Sequence, residues 1–197
     1  MKIISDLLIT ALFTVFVQNL VLSSGLGMSE AIRASKKPGT FGIIAVMIST
    51  FSVITSVICS LLNSVLSLST LPFAGKAAVY GGILAGVYIV ASLLLKLIFR
   101  VNDKFLGTLG IAALNTLVFA VPFINDSAAY SFTFAVGSGI GAGIAFVLAA
   151  ALISKGSAAL EKNKNIPEMF KGTPAMLIYV GLLSLAFAGF AGTSLFA

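Results

Sequence analysis

Few residues of this chain could do chemistry, and the polar amides inside its apolar runs stand out among them. The sequence has no histidine and one cysteine, Cys59. An imidazole proton relay and a histidine-ligated haem or metal are therefore excluded, and the chain cannot supply the four thiolates of an ordinary iron–sulfur cluster. Asn19 and Asn115 remain as polar side chains near glycines within apolar runs.

The composition predicts that these residues lie in a lipid bilayer. Hydrophobic residues make up 59% of the 197 residues and charged residues 9%, and the mean hydropathy is +1.13. A soluble domain is about 45–50% apolar and about 25% charged. Because so little polar surface cannot cover a water-soluble globule, we predict an all-α membrane protein. Nucleic-acid binding is excluded as a main role.

Six apolar runs approach the roughly 20 residues that a helix needs to cross a bilayer. A β-barrel would instead show alternating segments of about ten residues, and no such pattern appears. The first run ends in polar Gln18 and Asn19, which favours a retained helix over a cleaved signal peptide. No run has an acidic residue near its centre, which argues against a carboxylate-driven pump in this chain alone. The predicted spans are Ile3–Leu22, Phe41–Leu61 with a possible extension to Leu66, Ala77–Phe99, Phe105–Phe123, Phe132–Ile153 and Ala175–Phe196.

The lysines and arginines are distributed unevenly between the loops. Ten of the twelve lie in loops 1, 3 and 5 or at the adjoining helix ends, and only Lys2 and Lys76 lie on the other side. The positive-inside rule then places loops 1, 3 and 5 in the cytoplasm and both termini outside. The net charge of +6 therefore records topology and not a nucleic-acid partner.

This topology gives the two halves of the chain opposite orientations. We predict a single membrane domain, residues 1–197, whose halves at about residues 1–100 and 101–197 form an inverted repeat of three helices each. The first helix of each half carries an asparagine near glycine, Asn19 and Asn115. Such interruptions in matching positions are typical of discontinuous helices that meet near the midplane. Helices 1 and 4 are therefore predicted to be broken, with Asn19, Gly25, Gly27, Asn115 and Thr116 as midplane candidates.

Two further features concern small residues. Loop 1 contains Gly25-Leu26-Gly27-Met28-Ser29, which is either a re-entrant piece facing a partner or site, or a solvated cytoplasmic loop. Small residues also line three predicted helices, where they indicate close helix packing more than ligand binding. These packing candidates are Gly82, Gly86, Gly137, Gly139, Gly141, Gly143, Gly181, Gly189 and Gly192.

The pattern resembles the integral membrane subunits of Rnf/Nqr-type electron-transport complexes over nearly the whole chain. The most specific part is Phe170-Lys171-Gly172 followed by Gly181-Leu182-x-Ser184-Leu185-Ala186-Phe187-x-Gly189-Phe190-x-Gly192, and Val17-Gln18-Asn19-Leu20-Val21-Leu22 is similar to the family's end of helix 1. The resemblance implies six helices in two inverted halves, located in a prokaryotic plasma (inner) membrane. It also implies three kinds of partner: flavin subunits, iron–sulfur subunits and a second six-helix subunit.

One departure from the family pattern concerns a cofactor. The resemblance implies two cysteines, one after the Leu-Gly that follows helix 1 and one after an asparagine in helix 4, through which paired subunits hold a [2Fe-2S] centre in the membrane. This chain has Ser29 (or Met28) at the first position and Thr116 at the second. Hydroxyls are poor substitutes for thiolate on iron, so we expect no cofactor, and no metal, bound by this chain alone.

Three functions remain open. The first is a subunit of an Rnf/Nqr-like redox complex that couples electron transfer to Na⁺ or H⁺ translocation, with this chain as scaffold or lining of a path. The chain would then be at most a non-catalytic subunit of a translocase, without catalytic residues of its own. The second is a divergent relative that acts as a small-solute transporter or channel on the same scaffold. The third is a purely structural assembly subunit.

Overall fold

A computed structural model describes residues 2–66, 71–128 and 131–190 of the chain, and all regular secondary structure in these ranges is helical. Single turns of 3-10 helix occur at Pro38–Thr40 and Glu168–Phe170. The α-helices are α1 (Lys2–Phe16), α2 (Leu20–Ser24), α3 (Met28–Ser35), α4 (Phe41–Leu66), α5 (Phe73–Leu97), α6 (Asp103–Ala113), α7 (Thr116–Ser127), α8 (Phe132–Lys162) and α9 (Thr173–Phe190).

Five helical stretches in the described ranges are long and apolar enough to cross a membrane. They are Ile3–Ser24, Pro38–Val65, Phe73–Leu97, Asp103–Ser127 and Phe132–Lys162. The apolar part of α9, Thr173–Gly189, is shorter. The end of the predicted sixth span, with Gly192, lies outside the described residues.

The first and fourth predicted spans are each divided into two helices. In the first, α1 ends at Phe16 and α2 begins at Leu20, and in the fourth, α6 ends at Ala113 and α7 begins at Thr116. An asparagine precedes each new helix and caps it: Asn19 Oδ1 accepts from Leu22 N at 3.0 Å, and Asn115 Oδ1 accepts from Leu117 N at 3.0 Å. An amide cap satisfies an otherwise unpaired N–H at a helix start, so both interruptions fall where the sequence predicts them.

The longest helix, α8, forms the centre of the protein. It is the most buried of the five long stretches and packs mainly against α4 and α1. Its 31 residues correspond to about 46 Å at 1.5 Å per residue, which exceeds a hydrocarbon core of roughly 30 Å. The helix continues past the predicted end at Ile153 to Lys162, and its last turn, Ala158–Lys162, consists of good helix formers.

The segment that contains Gly25–Ser29 is folded against the rest of the protein, with Gly27 buried and Gly25 and Ser29 exposed. A tight turn at Gly25–Gly27 joins α2 to α3, and both glycines have positive φ, +70° and +74°. Leu22 and Ala31 on either side of the turn are fully buried. Helix α2 packs against α9, and α3 against α8.

The outward faces of the long helices are apolar. Helix α5 is the least buried of them, and Leu97 and Val90 on its surface are 75% and 57% exposed. Large exposed apolar surface on a soluble monomer would be unusual, but it is the expected face toward lipid tails. The architecture fits a multi-pass membrane protein.

Candidate functional site

The two asparagine caps differ in how fully their side chains are bonded. Both are buried, with exposed fractions of 0% for Asn19 and 4% for Asn115. Asn19 uses both ends of its amide, since Nδ2 also donates to Val15 O at 2.8 Å. Asn115 uses only Oδ1, and its Nδ2 has no hydrogen-bond partner within the described ranges.

The first and second halves of the chain meet at the turn before α3. Gly27 N donates to Thr116 Oγ1 at 2.9 Å. A methyl group added to Gly27 would lie 3.0 Å from both Asn115 Oδ1 and Leu117 Cβ. Only a glycine allows this close approach together with the positive φ. The turn is therefore fitted directly onto the start of α7.

A cavity of about 380 Å³ opens beside this contact. One wall is formed by the α2–α3 turn and the first turn of α3, and the other by the end of α6 and the start of α7. Of the midplane candidates, Gly25, Gly27, Asn115 and Thr116 all line it, whereas Asn19 does not. Two helices, α3 and α7, begin at its wall. Glu30 in the first turn of α3 also lines it, a residue that the sequence pattern does not single out.

The two positions at which the family pattern has cysteine face this same cavity. Ser29, Met28 and Thr116 line it, and Thr116 Oγ1 already accepts the Gly27 N–H. Cys59 does not line it; it is 2% exposed in α4 and packs with Tyr80. No group of three or more Cys, His, Asp or Glu side chains that could hold a metal occurs in the described ranges. The donors that meet here are hydroxyls, a thioether and a carboxylate, a set that does not suit an iron–sulfur cluster.

The glycines of α8 lie in contact with its neighbours. A methyl group on Gly137 or Gly141 would meet the backbone of α1 at Leu7 O (2.9 Å) or Ala11 O (2.8 Å). On Gly139 it would lie 2.8 Å from Val53 N, and on Gly143 2.6 Å from Ala45 O, both in α4. These four residues let three helix backbones approach closely.

The remaining glycine candidates have open surroundings. No atom of the described chain lies within 4 Å of a methyl group placed on Gly82, Gly86, Gly181 or Gly189. The faces of α5 and α9 that carry them are therefore not covered at these positions by the chain as described.

A charged cluster that sequence reasoning missed joins three helices at one end of the bundle. Lys76 Nζ of α5 lies 2.7 Å from Asp126 Oδ2 of α7, and Asn63 Nδ2 of α4 donates to Asp126 Oδ1 at 2.8 Å. The Lys76 and Asp126 side chains are only 19% and 14% exposed. The available signal was that Lys76 and Asp126 are opposite charges flanking loops 2 and 4, which the predicted topology places on the same side.

An apolar groove of about 800 Å³ lies on the other side of the α1–α2 break. Helices α1, α2 and α7, the start of α5 and the end of α9 form its walls, with Phe13, Leu20, Phe119 and Phe123 among the lining side chains. Thr116 lines both this groove and the smaller cavity. Thr116 thus lies between the apolar groove and the smaller cavity.

Comparison with known proteins agrees with this architecture. The sequence model of the Rnf-Nqr subunit family, described as a membrane protein, matches residues 7–194. The E component of the Na⁺-translocating NADH-quinone reductase of Shewanella denitrificans is 30% identical over an alignment of 199 positions, gaps included, which covers 92% of this chain and 95% of that protein. The A component of the Na⁺-translocating ferredoxin:NAD⁺ oxidoreductase complex of Acetobacterium woodii is 30% identical over 192 residues, covering 92% and 94%. With broken apolar helices and a match over nearly its whole length, this chain belongs to the Rnf-Nqr subunit family of membrane proteins.

Proposed function

We propose that this chain is a membrane subunit of an Rnf/Nqr-like redox complex that couples electron transfer to Na⁺ or H⁺ translocation. The observation that carries the proposal is the family match over residues 7–194, supported by relatives that are themselves subunits of Na⁺-translocating complexes. The chain acts as scaffold or as lining of a path and has no catalytic residue of its own. The proposal requires co-purification with flavin or iron–sulfur subunits from native membranes, and purification without them would contradict it.

The partner within the membrane is a second six-helix subunit of the same type. The glycine faces of α5 and α9 support this, since Gly82, Gly86, Gly181 and Gly189 have open surroundings in the described chain and small residues permit close helix contact. The apolar groove of about 800 Å³ beside the α1–α2 break adds further surface on which a membrane subunit could pack. Cross-linking from a cysteine at Gly86 to a co-purified membrane subunit would identify this contact.

The chain supplies no ligand to an iron–sulfur centre. The donor chemistry supports this: the family's cysteine positions hold Ser29 and Thr116, and Cys59 packs against Tyr80 away from their cavity. The subunit purified alone should be colourless, and Cys59→Ala should change no electron paramagnetic resonance signal of the complex. Stoichiometric iron and acid-labile sulfide that Cys59→Ala abolishes would contradict the proposal.

A matched variant sharpens this test. The double variant Ser29→Cys with Thr116→Cys puts thiolates at both family positions, whereas Ser29→Ala with Thr116→Ala is the control. Beside a cysteine-bearing partner, the first variant can recover cluster signals and the second cannot.

We propose a topology of six spans in two inverted repeats in the inner membrane, with both termini outside and loops 1, 3 and 5 in the cytoplasm. The charge asymmetry of the loops supports it. In a Cys59→Ser background, cysteines at Lys36 and Lys164 should be labelled from the cytoplasm and one at Ala128 from outside. Ala128 is exposed beside Asp126, which is itself held in an ion pair. Labelling of Ala128→Cys from the cytoplasm alone would overturn the inverted repeat as well.

A small-solute transporter or channel on the same scaffold is the second candidate function. The cavity between the α2–α3 turn and the start of α7 favours it, because interrupted helices line the substrate sites of many transporters. Solute uptake by the chain reconstituted alone would favour this candidate over the redox complex.

A further inference from the structure

One of the residues that line the cavity between α3 and α7, Asn115, has an amide donor without an acceptor among the described residues. Asn115 is 4% exposed, its Oδ1 is committed to Leu117 N, and its Nδ2 has no partner within the described ranges. A buried donor left unpaired costs about 1–3 kcal/mol. Asn19, the equivalent cap of α2, has no such vacancy, since its Nδ2 donates to Val15 O. Of the two asparagine caps in the described chain, Asn115 alone therefore has a free donor for a bound acceptor.

Further groups at the cavity wall are also donors. Helix α3 begins at Met28 after Gly27, which has no side chain with which to cap the first turn, and α7 begins at Thr116. A helix N-terminus carries partial positive charge and unpaired N–H groups. Thr116 Oγ1 accepts from Gly27 N, so its own hydrogen is directed elsewhere, and the Ser29 hydroxyl lines the same space.

We propose that this cavity binds a small monovalent anion of the chloride type, held by Asn115 Nδ2, the hydroxyls of Ser29 and Thr116 and the N-termini of α3 and α7. Among the described residues that line the cavity there is no lysine or arginine, which disfavours a polyvalent anion such as phosphate. Glu30 is the one charged group in the wall, half-buried in the first turn of α3. Its carboxylate opposes anion binding, so the site is of modest affinity.

The assignment does not rest on the redox proposal, because neither electron transfer nor a second protein is needed for it. It concerns the chain's own residues only. Loss of the redox function would leave it standing, and loss of anion binding would leave the redox function standing.

The test uses the purified full chain in detergent. Thermal unfolding is followed while sodium gluconate is replaced by sodium bromide at constant ionic strength and constant Na⁺. We expect a saturable rise in Tm with bromide, and likewise with chloride and nitrate, because a ligand that binds the folded state stabilises it. Asn115→Asp keeps the Oδ1 cap but replaces the Nδ2 donor with a charged oxygen, so the saturable rise should disappear.

The matched control is Asn102→Asp at the exposed cap of α6, where Oδ1 accepts from Phe105 N at 2.8 Å; it should retain the wild-type response. Glu30→Gln should lower the half-saturating bromide concentration several-fold, and this arm keeps the test decisive if Asn115→Asp does not fold. Equal Tm of the wild type in bromide and gluconate would overturn the proposal, as would an unchanged response in Asn115→Asp. A dependence on Na⁺ against choline that Glu30→Gln removes, without dependence on the anion, would overturn it in favour of a cation.

Discussion

The backbone N–H of Gly27 donates to the side-chain oxygen of Thr116 at 2.9 Å, across 89 residues of sequence. This hydrogen bond fastens the turn after the first broken helix onto the start of the second half-helix of the fourth span. The two positions at which the family pattern diverges in this chain, Ser29 and Thr116, come to one cavity because of it.

Loss of the Thr116 hydroxyl should weaken the contact between the α2–α3 turn and the start of α7. Thr116→Val leaves the buried Gly27 N–H without an acceptor, and we expect the free energy of unfolding to fall by about 1–3 kcal/mol. Thr116→Ser keeps the hydroxyl and serves as the control, with a much smaller change. Thermal or denaturant unfolding in detergent measures both, and equal stability of the two variants would show that the hydrogen bond is not required.

Substitutions at Gly25 and Gly27 measure the stability cost of backbone strain separately from the cost of steric crowding. Gly25 and Gly27 both have positive φ, but only Gly27 has atoms within 4 Å of an added methyl group in the described chain. Gly25→Ala should therefore cost about 1 kcal/mol from backbone strain alone. Gly27→Ala should cost more, because it also displaces Asn115 or Leu117. Unfolding of the two variants side by side provides the measurement, and a larger loss for Gly25→Ala would contradict the described turn.

Leucine substitutions should distinguish internal packing from assembly. A side chain on Gly139 meets Val53 of α4 within 3.0 Å, whereas Gly189 has no described neighbour within 4 Å. Gly139→Leu should unfold the protein itself or prevent its accumulation, because the contact between α8 and α4 is lost. Gly189→Leu should leave the isolated protein stable but reduce its recovery in the complex. Wild-type yields of complex with Gly189→Leu would place that face toward lipid.

The ion pair between Lys76 and Asp126 should contribute more to the free energy of unfolding than a surface ion pair does. Asp126→Leu leaves Lys76 largely buried without its partner, and we expect a loss of about 2–4 kcal/mol in unfolding free energy, just below the range for fully buried pairs. Adding Lys76→Met should recover part of this loss. Lys96→Met, which breaks an exposed pair with Asp103 at 3.6 Å, should change stability by less than about 0.5 kcal/mol. Strictly additive effects of Lys76→Met and Asp126→Leu would show that the pair is not coupled.

The sequence by itself determined the properties that depend on local composition and local hydrogen bonding. The scarcity of charge predicted a helical membrane protein, and Asn19 and Asn115 predicted the breaks before α2 and α7, because an asparagine side chain caps the helix that begins next to it. It could not separate Gly139 from Gly189, and it could not show that the turn at Gly27 packs against the start of α7. Glycines look alike in sequence, and the atoms that pack against a buried one, such as those of Val53 against Gly139, belong to helices distant in the chain.

Only the tertiary structure decided which of these residues meet. Asp126 and Lys76 are paired, Gly139 lies against Val53, and Asn115 keeps an unused Nδ2 beside Ser29 and Thr116. Each of these relations joins elements far apart in the chain, so no local pattern encodes the distance between them. The packing of α3, α5 and α7 around α4 and α8 sets those distances.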